Sequence, residues 1–73
     1  PAKLSYAQKK ELEKIDAELP QLNARKAEIE ALLAGGEADP QKIMELSDEY
    51  GKVKDSIDEM EMRWLELQEI IGA

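Results

Sequence analysis

Residues 43–71 read IMELSDEYGKVKDSIDEMEMRWLELQEII, and their apolar spacing decides the fold. Ile43, Leu46, Tyr50, Val53, Ile57, Met60, Trp64, Leu67 and Ile71 follow one another by alternating steps of three and four. A helix with a 3.5-residue repeat places such positions along one line, so they form the a and d seam of a coiled coil. Working upstream, Leu12, Ile15, Leu19, Leu22, Lys26, Ile29 and Leu33 repeat the pattern, with Lys26 as the polar member. A strict heptad implies gentle left-handed supercoiling.

Between the two seams lies Ala34-Gly35-Gly36-Glu37-Ala38-Asp39-Pro40. Gly35 or Gly36 can adopt the left-handed conformation that closes a helix. Asp39 suits an N-cap, and Pro40 suits the first helical position, where its missing N–H has no partner to lose. A stop, a turn and a start this close together make antiparallel neighbours the simplest outcome. The fold class is therefore all-α, a two-helix antiparallel coiled-coil hairpin over residues 1–73. Helix 1 runs over about 5–33 and the turn over 34–39; helix 2 follows over about 40–71. Ser5 caps helix 1, with Gln8 as its reciprocal partner three residues on. Pro20 removes one helical hydrogen bond and crowds the Asp16 carbonyl, so a kink or local break is expected near it. Its b position points outward and lets the seam continue.

The charges select a register. When facing seam residues have numbers summing to 72, four flanking pairs are opposite in sign: Glu11 with Arg63, Arg25 with Glu49, Asp16 with Lys54, and Lys9 with Glu61. A sum of 79 sets Asp16 against Glu61 and gains only Glu18 with Arg63. Exposed pairs contribute little energy each, and their effect lies in choosing among alignments. The chosen register layers Leu12 on Met60, Ile15 on Ile57, Leu19 on Val53, Leu22 on Tyr50, Lys26 on Leu46 and Ile29 on Ile43. Lys26 has two readings: a stem lying along the seam with its ammonium in water, or a device that fixes register.

Composition bounds the chemistry. The chain has 73 residues, with no cysteine and no histidine. That removes disulfides, thiol nucleophiles, the usual zinc clusters and histidine bases. Cysteine-free chains suit a reducing cytosol. No stretch approaches the roughly 18 apolar residues of a membrane span. Carboxylates are plentiful but lie outside the seams, and a two-helix hairpin has no shielded cavity for acid–base work. Gly35-Gly36 lacks the Lys-Ser/Thr of a phosphate loop. The chain is expected to be non-catalytic. Its net charge of −7 is uneven: residues 1–33 balance, and residues 34–73 carry the entire excess.

Two surfaces stand out. Lys3, Lys10 and Lys14 form a basic stripe on the outer face of helix 1. It reads either as a solvated face or as a set of phosphate contacts. Tyr6 and Trp64 lie at the same end and are expected to pack against Leu4, Leu12 and Leu67 rather than to stack on bases. On helix 2, Met62 and Leu65 face outward beside an acidic ridge of Asp48, Asp55, Asp58, Glu59, Glu66 and Glu69. The two apolar residues either mark a contact or cover a folded-back Leu4 and Tyr6.

Lys3-Leu4-Ser5-Tyr6, Gln8 and Glu11-Leu12-Glu13 resemble the Lys-Leu-Ser-Tyr-Lys-Glu-Gln-Arg-Glu-Leu-Glu opening of the C-terminal domain of Uup-type ABC-F ATPases. Leu19-Pro20, Ala38-Asp39-Pro40 with Glu45-Leu46, and the closing Met62-Arg63-Trp64-Leu65-Glu66-Leu67 are similar to the same family. The likeness runs from Lys3 to about Ile70. Ala7-Gln8-Lys9-Lys10 stands where the family has Lys-Glu-Gln-Arg, which moves the basic residues without removing them. The resemblance implies a fragment of a larger cytoplasmic ATPase linked to ribosomes and translation. Its two ATP-binding cassettes would lie upstream and hold ATP and magnesium, so this domain needs no cofactor. It also implies an accessory nucleic-acid-binding domain, with DNA or ribosomal RNA and the parent cassettes as partners and no membrane. Lys3, Lys9 and Lys10 match the opening motif and are the expected contacts. The local charge adds Lys14 and Arg63, although Arg63 is also placed to be occupied by Glu11. The competing expectation is a purely structural coiled coil for self-association, such as a homodimer, or for contact with another protein.

Overall fold

A computed structural model describes residues 4–72. It consists of two helices, α1 over Tyr6–Ala34 and α2 over Pro40–Gly72. They form an antiparallel hairpin about 55 Å long and 16 × 15 Å across. The antiparallel sense follows from the cross-helix contacts: Glu11 meets Arg63 near the chain ends, and Arg25 meets Glu49 nearer the turn.

The helix ends lie within a residue of the expected bounds because capping chemistry sets them. The Ser5 side chain accepts from the Gln8 amide at 3.1 Å, and the Gln8 side chain accepts from the Ser5 amide at 2.9 Å. This reciprocal box satisfies donors that the first turn would otherwise leave open. At the far end the Gly35 amide donates to the Ala31 carbonyl at 2.8 Å. Gly36 then takes φ +83°, the left-handed conformation that turns the chain out of α1. Asp39 opens α2: its carboxylate accepts from the Gln41 amide at 3.0 Å, and its carbonyl accepts from the Ile43 amide at 3.0 Å. α1 continues through Pro20 as unbroken helix. Only one N–H is lost there, and the helix on either side is held by the seam.

The core is thin. Ile29, Val53 and Ile57 form its centre, packed by Leu19, Leu22, Leu33, Leu46 and Tyr50. Ile15 and Leu67 are buried further toward the chain ends. Lys26 is half-buried, as an a-position stem with a solvated head requires. Ile43, expected to face Ile29, is 38% exposed, whereas Ile29 is fully covered. Ile43 lies in the first turn of α2, where the hairpin ends and no further layer covers it.

The two flanks of the seam differ. At the g positions, Arg25 donates to Glu49 through Nε at 2.5 Å and Nη2 at 2.6 Å. Arg63 likewise donates to Glu11 at 2.8 and 2.9 Å. These two forked pairs agree with the register summing to 72. The expected e-flank pairs, Asp16 with Lys54 and Lys9 with Glu61, are not formed among the described residues. The e-flank contact that does form is nearer the turn, where the Tyr50 hydroxyl donates to Glu30 at 3.1 Å.

Candidate nucleic-acid interface

The sequence-derived candidates are Lys3, Lys9, Lys10, Lys14 and Arg63. Lys3 lies outside the described residues. Lys9, Lys10 and Lys14 are all exposed on α1, within its first three turns. The Lys10 ammonium stands 5.4 Å from the centre of the Tyr6 ring, one helical turn earlier. It also lies 3.4 Å from Glu13, and Lys14 lies 3.8 Å from Glu18. Both are solvent-exposed pairs within one helix, of a kind that contributes little energy.

Arg63 is in a different situation. Its guanidinium forks onto Glu11 across the helix pair, with Glu66 a further 3.7 Å partner. The hydrogen bond from Arg63 holds the Glu11 carboxyl below its ordinary value, against an opposing effect of partial burial. The same bond pushes the Arg63 pKa up. Glu49 is lowered in the same way by its hydrogen bond from Arg25, and Arg25 is raised first by Glu49 and then by Glu28. The structure therefore brings Lys9, Lys10 and Lys14 to one end of α1 and commits Arg63 to holding the two helices together.

Tyr6 corrects an expectation. It does not pack against the seam but is 76% exposed. The heptad contained the signal, because Tyr6 occupies an outward b position four residues before Lys10. Trp64 stays at the seam edge, 37% exposed. Met62 and Leu65 are open to solvent, so they do not cover a folded-back Tyr6.

No cluster of three or more acidic, histidine or cysteine ligands suited to a metal occurs among the described residues. No described helix is long and apolar enough to cross a membrane. No curated protein and no solved structure matches the chain. A family model described as ABC transporter C-terminal domain matches residues 3–69. The match is to an accessory C-terminal domain of ABC proteins and not to a nucleotide-binding cassette, consistent with a non-catalytic hairpin. The hairpin belongs to the ABC transporter C-terminal domain family.

Proposed function

We propose that this hairpin is an accessory nucleic-acid-binding domain of a Uup-type ABC-F ATPase, contacting DNA or ribosomal RNA through the first turns of α1. The observation that carries the reading is the exposed Tyr6 ring beside Lys10, with Lys9 and Lys14 nearby. A flat aromatic face among cations offers a base something to stack on and its phosphates something to bind. The opening and closing motifs support the ABC-F assignment. In such a protein the cassettes bind ATP and magnesium in the cytoplasm and drive the cycle, and the hairpin positions them on a ribosome-linked target.

A second reading draws on a different observation. Met62 and Leu65 are 68% and 56% exposed on α2, which suits a structural coiled coil in contact with another protein or with its own copy. Substitution separates the two readings. A Lys9/Lys10/Lys14→Ala variant and a Tyr6→Ala variant should each weaken binding to labelled duplex DNA or structured RNA. For Tyr6 the loss expected of one stacked base is about 1–3 kcal/mol. Binding that neither variant changes would overturn the nucleic-acid reading.

A further inference from the structure

The e flank of the hairpin is built unlike the g flank. Two forked Arg–Glu pairs bridge the g side, where the grooves are lined by these charged side chains. On the e side the Tyr50 hydroxyl donates to Glu30 at 3.1 Å nearer the turn. Toward the chain ends no e-flank pair forms among the described residues, and an apolar groove of about 430 Å³ opens there, lined by Leu19, Trp64, Leu65 and Glu61. Trp64 and Leu65 are 37% and 56% exposed along it. A coiled-coil stretch that leaves Trp64 and Leu65 this exposed beside an apolar groove lacks a covering helix there.

Charge selects the occupant. Glu61 lines the groove, and Asp58 and Glu69 stand exposed on the same side of α2. The chain as a whole carries −7, and α2 holds nine acidic against four basic side chains. A second copy would bring like charge against like, which opposes association. A helix with an apolar stripe flanked by lysine or arginine meets both the groove and its rim. We infer that the e-flank groove is a docking site for a basic amphipathic helix of a partner protein, which completes a three-helix coiled coil. This rests on the protein-contact reading and names the partner chemistry that reading leaves open. Its lining comes from α2 and Leu19 and includes none of Lys9, Lys10 and Lys14.

Trp64 is the single tryptophan of the chain and lies in the groove, so its emission reports occupancy directly. The probe is a synthetic four-heptad peptide with Leu at a and d and Lys at e and g, titrated into the full chain; the control peptide carries Glu in place of Lys. The Lys peptide should shift Trp64 emission to the blue with one-to-one stoichiometry, and the Glu peptide should not. Leu65→Ser, an exposed substitution checked for retained helix by circular dichroism, should weaken binding about tenfold. Glu61→Lys should weaken it as well, and to a degree that shrinks at high salt. An emission unchanged by the Lys peptide would overturn the inference, as would wild-type affinity in Leu65→Ser. Concentration-dependent dimerisation of the chain alone with the same Trp64 shift would also overturn it, while sustaining protein contact in the form of a second copy.

Discussion

Two glycines serve opposite purposes in the hairpin. Gly36 holds φ +83°, which a side chain tolerates poorly, so Gly36→Ala should destabilise the hairpin by about 1 kcal/mol even though its surroundings are open. Gly51 lies inside α2 with nothing near a new methyl group, so Gly51→Ala should stabilise by about 1 kcal/mol. Urea unfolding followed by circular dichroism checks both signs. Glu11 and Glu49 set a pH dependence. Their folded carboxyls titrate below the ordinary 4.5 because each accepts a hydrogen bond from an arginine. As pH falls past 4.5 the unfolded chain takes up these protons first, so the stability they contribute is whole above that value and is lost as pH drops through the folded values. The parent should therefore show a falling melting temperature below about pH 4.5, and a Glu11→Gln/Glu49→Gln variant a shallower fall. Equal slopes would mean that the forked pairs do not persist in solution.

At the scale of the helix, the parts legible in the sequence are those set by local rules. Ser5 with Gln8, Gly36, and Asp39 with Pro40 fix the ends of α1 and α2 through backbone hydrogen bonds spanning a few residues. The 3–4 spacing of the seam fixes which faces meet. Pro20 was harder to place, because its cost is local while the seam that carries the helix past it is not. The flanks were only half legible. Both g-position pairs form, yet Lys9 with Glu61 and Asp16 with Lys54 do not, since pairing there depends on the small relative rotation of two helices and not on spacing. The exposure of Tyr6 is legible in its outward b position, and the expected packing on Leu4, Leu12 and Leu67 ignores that position. Within the seam, burial should track cost. Ile29→Ala, at a fully covered position, should cost about 3 kcal/mol, and Ile43→Ala at the open end distinctly less. Thermal melts of the two variants give the comparison.

The whole molecule is a 55 Å rod whose charge is divided lengthwise. The balanced half contains α1, and the half carrying −7 contains α2. A polyanion approaching this rod is repelled along α2 and meets the exposed Lys9, Lys10, Lys14 and Tyr6 only at the start of α1. That geometry permits an end-on contact with few phosphates and opposes wrapping. The most direct test is the salt dependence of binding to duplex DNA and to structured RNA, as log K against log salt between about 50 and 200 mM. Contact through two or three lysines predicts a slope of about −2 to −3. Absence of binding at low salt, or a slope near zero, would contradict the account and leave the hairpin as a protein-binding coiled coil.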